Sequence, residues 1–399
     1  MIIKNVKIKT MSGHDYENGY VRFGEKITEI GDMDELSPVI EEEIDGTGKT
    51  LYPGFVDAHC HLGMWSDCLS MQLEGDDGNE ITDPSTPHLR AIDSINAMDR
   101  CFEDAVKAGV TSVCTGVGSA NPIGGSFAVI KTHGSKRVDK LIVKNPAAIK
   151  FALGENPKST YNDRDEAPVT RMATAAVIRE QLQKALRYRS DLDEYTAKKG
   201  TDDEVGKPDF DAKCEALLPL FDEKNKLQAH FHCHRADDIF TAVRIAKEFG
   251  LDYVLIHCTD GGIIADELAE DAPAVVLGPM FGDRGKPELA HHDISTPKVL
   301  FEHGIGFAIC TDHPETPIQY LPMTAALAVR GGLSRDEALK AITVNAAKIL
   351  GVSDRIGSIE VGKDADLVLF SGDPLDLTVT PDAVIVNGRL TVHSDRQFK

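Results

Sequence analysis

Basic residues are in short supply. Lys and Arg number 43 against 64 Asp and Glu, a formal charge of -21 at pH 7, and no run concentrates them. Nucleic acid and anionic membrane surfaces both need clustered cations, so neither is expected as a partner. Long apolar runs are missing as well, none approaching the roughly 18 residues of a membrane span. The first nine residues, Met1 to Lys9, alternate like a strand and have neither a signal peptide's apolar core nor a small-residue cleavage site. A cytoplasmic protein is expected. Cys-x-x-Cys pairs are also absent. The eight cysteines (Cys60, Cys68, Cys101, Cys114, Cys214, Cys233, Cys258, Cys310), several of them in apolar strand-like runs, read as reduced packing thiols rather than disulfides or thiolate ligands.

The 399 residues, 42% hydrophobic and 27% charged, have room for one large domain and a smaller one. Both ends are β-rich. Strands are expected at Ile2 to Lys9, Gly19 to Phe23, Ile27 to Ile30 and Glu42 to Leu51, and again at Gly357 to Val361, Ala365 to Phe370 and Ala383 to Val392, the last a hairpin around Asn387-Gly388.

The middle alternates apolar strand-like runs with helical periodicity, which argues for successive β-α units and a parallel sheet. Strands are expected at Gly54 to His59, Val110 to Thr115, Ala148 to Leu153, Leu227 to His232, Tyr253 to His257, Ala274 to Leu277 and Gly306 to Cys310. Helices are expected at Pro87 to Ala108, Ala167 to Lys198, Lys207 to Lys224, Ala236 to Phe249 and Leu333 to Leu350. The fold class is therefore α/β, with a (β/α)8 TIM-like barrel of about 250 residues. The charged stretch from Thr170 to Lys199 reads as a solvated insertion followed by Gly200-Thr-Asp-Asp-Glu.

The residues that carry chemistry fall at the ends of these strands. In Pro-Gly-Phe-Val-Asp-Ala-His-Cys-His-Leu-Gly, from Pro53 to Gly63, alternation puts His59 and His61 on one face. The third expected strand leads to Lys150 and Glu155, the next carries His230, His232 and His234 on one face, the next ends at His257 and the last at Asp312. Imidazole and carboxylate suit a divalent ion such as Zn²⁺, although ligand type alone leaves Mn²⁺, Fe²⁺, Co²⁺ and Ni²⁺ open.

Pro53 to His61 resembles the first-strand signature of the amidohydrolase superfamily of metal-dependent hydrolases, and the resemblance runs through most of the chain. It implies a barrel over 53–353 and a small β-sandwich built from 1–52 and 354–399, with Gly362-Lys-Asp-Ala-Asp-Leu-Val368 resembling the sandwich's closing strand. It also implies roles: His59, His61 and Asp312 on one metal, His232 and His257 on a second metal or facing substrate, and Asp312 moving the proton. Some members bridge two metals with a carboxylated lysine and others with a glutamate, so Lys150 and Glu155 both stand as candidates, and one or two ions remain open.

His234 touches substrate or supports a ligand from behind, His230 reads as a hydrogen-bonded barrel-interior residue, Asp238 as a cap of the next helix, and His313 as facing away from the ligands. The glycine-rich tracts Gly75 to Pro84 and Gly116 to Gly125 read as rim loops, and Lys131, His133, Arg284 and Lys286 as cations available to a substrate carboxylate.

The expected reaction is hydrolysis of a C-N bond, amide or cyclic amide, in a small molecule, with the likeness nearest to imidazolonepropionase and deacetylase branches. A deaminase is the alternative, disfavoured because His232 is followed by Cys-His-Arg-Ala-Asp-Asp rather than by a nearby glutamate. An inactive scaffold is disfavoured because no expected ligand is missing. Homo-oligomers are frequent among such relatives, but no interface is specified.

Overall fold

The computed structural model describes residues 1–37, 40–65, 75–199 and 206–393. Cys68 and the Gly200 to Glu204 tract lie outside the described residues.

Five strands precede the central sheet: β1 (Ile2–Ile8), β2 (Tyr16–Phe23), β3 (Ile27–Asp32), β4 (Glu43–Asp45) and β5 (Thr50–Pro53). Eight compose it: β6 (Phe55–Cys60), β7 (Val110–Thr115), β8 (Ile123–Lys131), β9 (Ile142–Ala152), β10 (Gln228–Cys233), β11 (Asp252–His257), β12 (Ala274–Leu277) and β13 (Phe307–Ile309). Three follow: β14 (Leu367–Phe370), β15 (Ala383–Val386) and β16 (Arg389–His393).

The chain ends form one hydrogen-bonded sheet, ordered β16-β15-β14-β5-β1-β2-β3 with β4 beside β1. It encloses its own apolar core, including Ile3, Val21, Phe23, Leu51, Leu367 and Ile385. The β15–β16 hairpin turns on Asn387 and Gly388 at φ 48° and 73°, the pair of positive values that an Asn-Gly turn between twisted strands demands. Gly357 to Val361, expected as a strand, lies outside any strand.

The central sheet runs in order from β6 to β13 as a nearly closed barrel. β6, β7 and β8 are buried along their whole length, as strands covered on both faces must be. In β10 the pleat separates two environments: Ala229, Phe231 and Cys233 join the apolar layer under the helices, while His230 and His232 take the alternate face. A second cluster, with Val56, Ala58, Cys114, Phe127, Val254 and Cys310, packs with Ala346 and Ala347 of the helix Val344–Ile349.

One strand departs from eight regular β-α units. β8 runs antiparallel to both β7 and β9, with Cys114 opposite Val129 and Phe127 opposite Ala148. The tract Gly116 to Gly125 had suggested a single rim loop, yet its last three residues already belong to β8. No helix separates β7 from β8, so the chain returns at once and must reverse direction.

β13 has only three residues and pairs by regular ladder with β12 alone. The seam to β6 is made differently. Buried Asp57 accepts from the Thr311 amide at 3.2 Å and from its hydroxyl, and Asp312 N donates to His59 O at 3.1 Å.

The long helix Arg171–Lys198 is capped by Thr170, whose hydroxyl accepts from Ala173 N at 3.1 Å. It buries Ala175, Ile178, Leu182 and Ala185, an i, i+3, i+7, i+10 stripe that marks a helix packed on the core. The solvated-insertion reading is thereby corrected: its first half covers the barrel. Pro87 to Ala108 shortens to a single turn at Ala91–Asp93 and a helix at Arg100–Lys107 capped by Asp99. Among the described residues no helix is long and apolar enough to cross a membrane. All seven described cysteines are buried, and none is in a disulfide.

Lys131, at the end of β8, is 1% exposed and pairs with Asp364 at 3.1 Å and with Asp366. Because β8 runs backwards, this cation sits at the end of the barrel that meets the terminal sheet, not in the catalytic rim. Truncation leaves buried Asp366 without a cation, while Arg355 and Lys26 remain on Asp364, so Lys131→Ala is expected to cost about 3 kcal/mol, read as a lower midpoint in urea unfolding. An unchanged midpoint refutes the lock.

Candidate active site

His59 and His61 leave the end of β6 on one face, as alternation requires. His61 Nε2 lies 3.2 Å from Asp312 Oδ1, and His59 Nε2 lies 3.6 Å from the same oxygen. Asp312 has φ 55° and His257 φ 72°, left-handed values that cost energy in non-glycine residues and that concentrate at functional sites. Both bends occur where a strand stops and its last polar side chain must face the rim.

Among the described residues two groups bring His, Cys, Asp or Glu ligand atoms within 4.8 Å of one another: His232 with His234 and His257, and His59 with His257 and Asp312. His257 belongs to both. Their rings confirm the crowding, with the centroids of His232 and His257 4.6 Å apart and His234 stacked on His257 at 4.6 Å.

Three imidazoles are held from behind. His61 Nδ1 contacts Gly116 O at 2.7 Å, His257 Nδ1 contacts Gly278 O at 2.6 Å, and His234 Nδ1 contacts Thr259 Oγ1 at 2.7 Å. A carbonyl only accepts, so in both His61 and His257 Nδ1 carries a proton; the neutral ring of His257 keeps its lone pair on Nε2, while His61 Nε2 is the nitrogen that faces Asp312. This backing arrangement orients imidazole ligands in metal sites.

Burial disfavours the charged imidazolium. It pushes His59, His232 and His234 well below their ordinary pKa, and His257 down to about 4. Neutral imidazole is the form that binds metal. Asp312 is the counterpart. Burial opposes its ionisation, but the charge of His257 and the hydrogen bond and charge of His61 outweigh that and hold it at about 2.

Lys150 is brought into this cluster. Fully buried, it places Nζ 3.1 Å from His59 Nε2, and burial, partly offset by Asp312, lowers its pKa to about 8. Glu155 is not brought in. Beyond Gly154 (φ 89°) it opens the helix Glu155–Asn162 and belongs to neither ligand group. Its amide donates to Glu288 Oε2 at 3.0 Å.

The other expectations sort as follows. His230 is barrel-interior and pushed down to about 3 by burial; neither ring nitrogen has a hydrogen-bond partner, so the hydrogen-bonded reading is corrected. His313 Nδ1 accepts from Ile318 N at 3.2 Å, which makes it structural. Asp238 does not cap its helix: it lies in the first turn of Ala236–Phe249, buried, and pairs with Arg171 at 3.0 Å. His133 does not line the active-site cavity, and Arg284 donates to His292 O at 2.7 Å.

The rim encloses a cavity of about 480 Å³ that reaches His61, His232, His234, His257 and Asp312. The two glycine-bearing loops meet there: Gly118 N donates to Gly78 O at 2.8 Å and Asn121 Nδ2 to Glu80 O at 2.6 Å. A side chain at Gly118 would place Cβ 2.5 Å from Asn79 Oδ1, so Asn79 would have to shift from the position in which it accepts from Ala120 N.

Sequence reasoning missed several lining groups. Trp65 lies edge-on to His61 at 4.9 Å. Asn156, the neighbour of the candidate Glu155, faces the cavity; its Nδ2 donates to Ser119 Oγ at 2.7 Å and its Oδ1 accepts from Lys286 Nζ at 3.0 Å. Glu288, 1% exposed, sets Oε1 3.9 Å from His234 Nε2 without lining the cavity. No local signal marks a buried carboxylate in the loop after β12.

Residues 50–391 match the model of the amidohydrolase family. The chain belongs to this family. Amidohydrolase tasK of Hapsidospora irregularis is 29% identical over 91% of this chain, which spans only 38% of that protein. An imidazolonepropionase of Geobacillus sp. (strain WCH70) is 27% identical, the match covering 98% of this chain and 94% of that enzyme. The solved structure of an amidohydrolase from Thermotoga maritima MSB8 is 40% identical with a TM-score of 0.91, covering 98% and 99% of the two chains.

The neutral imidazoles of His59, His232, His234 and His257 and the ionised Asp312 fit the divalent metal that amidohydrolases generally carry. Because His257 belongs to both donor groups, His257→Ala is expected to weaken metal binding by about 100-fold or more. Elemental analysis after dialysis against graded chelator reads the loss; wild-type metal retention in the variant refutes the assignment.

Proposed function

We propose that this amidohydrolase hydrolyses a C-N bond, amide or cyclic amide, in a small molecule. The observation that carries the reading is the convergence of Asp312 with His59 and His61 at a cavity where His232, His234 and His257 are buried and neutral.

His59, His61, Asp312 and Lys150 would hold one ion, with His232, His257 and Lys150 available to a second. Lys150 is preferred to Glu155 as the bridging group because its Nζ lies against His59 whereas Glu155 sits outside both donor groups; carboxylated by CO₂, it would offer two oxygens. A divalent ion there supplies Lewis acidity and lowers the pKa of water toward neutrality.

The protein's own groups do the rest. Asp312 is held ionised and accepts the proton of the attacking water on its carboxylate. The same oxygen later delivers that proton to the departing nitrogen. His234, fixed by Thr259, lines the cavity beside His257 and contacts the substrate. Trp65 and Gly118 line the cavity and take up space that water would otherwise fill, which strengthens the charge interactions inside it.

The region after β10 supports hydrolysis over deamination. Asp237 pairs with Arg235 at 3.0 Å and Asp238 with Arg171, so neither carboxylate reaches the cavity as a proton donor to a leaving amine.

Asp312→Asn keeps the side chain's shape but not its basicity. Turnover is expected to fall by about 10³-fold, with circular dichroism unchanged. Retained turnover sinks the mechanism. Alongside it, Lys150→Ala is expected to lower the metal content and Glu155→Ala to leave it intact; the reverse pattern reassigns the bridge.

A further inference from the structure

The cavity mouth is unevenly charged. Among the described residues Asp76, Asp163, Asp283, Asp293 and Glu315 line it, against a single lysine, Lys286. They come from four separate segments: the loop after β6, the end of the helix Glu155–Asn162, the loop after β12, and the turn after β13. Among the described residues none of the five forms an ion pair, although acidic side chains elsewhere on the surface commonly do, as in Lys107 with Glu103 and Arg179 with Glu248. Arg284 and His292 act on Asp293 only at longer range, after its hydrogen bonds from Ser295. Lys286 donates to the amide oxygen of Asn156 rather than to a carboxylate.

This ring is the entrance to a built site. Its floor carries His232, 4% exposed, whose Nδ1 has no hydrogen-bond partner. Its walls are apolar at Trp65, Leu277, Met280 and Phe281. Unpaired carboxylates at the rim of a low-dielectric cleft focus a negative potential and raise the local concentration of cations.

We infer that the substrates of this cavity carry a positive charge, an amine or guanidinium, at the end that remains in the mouth while the C-N bond reaches the histidines. The inference rests on the proposed hydrolytic reading for the orientation of the bond, and on the five carboxylates for the charge. An apolar linker between amide and cation would lie against Trp65 and Met280. An anionic tail would meet five carboxylates and one lysine already engaged by Asn156.

Trp65 is the only tryptophan in the chain and lines the cavity, so its fluorescence reports occupancy. Three acetamides of matched length serve as probes for the metal-reconstituted protein: N-acetylcadaverine, bearing an ammonium; N-pentylacetamide, neutral; and N-acetyl-ε-aminocaproate, bearing a carboxylate. Equilibrium dialysis repeats each titration without relying on Trp65. The ammonium probe is expected to bind about tenfold more tightly than the neutral one at about 20 mM salt, and the advantage to shrink at about 500 mM as screening sets in.

In the combined variant Asp163→Asn, Asp283→Asn, Glu315→Gln, all exposed positions, the ratio is expected to fall to about twofold or less. Equal or tighter wild-type binding of the neutral or anionic probe overturns the inference, as does a preference indifferent to salt. So does absence of binding by the ammonium probe. Acetate release is scored separately: preferential binding without hydrolysis counts against the proposed reaction and leaves charge selection standing, whereas hydrolysis of all three probes with equal kcat/KM does the opposite.

Discussion

The active site depends on how the first and last strands of the barrel are joined. β13 is too short to make a ladder with β6, and Asp57 takes the place of that ladder. Its carboxylate accepts from His59 N at 3.1 Å, and from the amide and hydroxyl of Thr311 across the seam. Burial raises its pKa to about 7 against the pull of these bonds, the expected cost of placing a carboxylate in a dry interior. Every donor it satisfies belongs to a residue next to, or two removed from, a group that faces the metal site. The contact that closes the barrel is thus the one that sets His59 and His61 against Asp312.

From that seam the electrostatics follow. Burial makes His59, His232, His234 and His257 poor bases and keeps their lone pairs available, while the backbone carbonyl behind His257 decides which of its nitrogens presents one. One carboxylate is exempted from the same penalty, because His257 and His61 surround it. Neutral His59, His232, His234 and His257 and an ionised Asp312 are therefore products of one enclosure. A polar rim open to water would have spread these pKa values back toward ordinary ones.

Much of this arrangement was legible in the sequence because alternation is a local rule. His-x-His on a strand fixes its own geometry, and strand ends at His232, His257 and Asp312 needed only the parallel topology to converge. What could not be read was set by chain direction and by reach. β8 is apolar on both faces and starts inside a glycine tract, so periodicity gave no strand signal and nothing indicated that it runs backwards. That reversal also decides the fate of Lys131, which a forward strand would have carried to the rim. Lys150 and Glu155 were inseparable in sequence, five residues apart with plausible chemistry in each. Extended backbone keeps Lys150 inside the barrel, whereas Gly154 at φ 89° turns the chain into a helix and takes Glu155 away. The same turn presents Asn156 to the cavity, a substitution of neighbours that no composition rule anticipates.

The charge of -21 acquires a meaning once the cavity is placed within it. Acidic residues spread over a surface promote solubility and say little about a ligand. Around this cleft they differ in being unpaired and in arriving on separate loops, while the floor beneath is dominated by neutral imidazoles. A divalent cation bound there would offset Asp312 and leave the floor positive or neutral, without reaching the carboxylates at the entrance. The field along the cavity would then run from positive at the histidines to negative at the mouth. An elongated molecule with an electron-rich carbonyl at one end and a cation at the other is aligned by that field before any specific hydrogen bond forms. Orientation of this kind raises productive encounters without tightening the grip on the reacting bond, so the binding energy available at the floor is kept for the transition state.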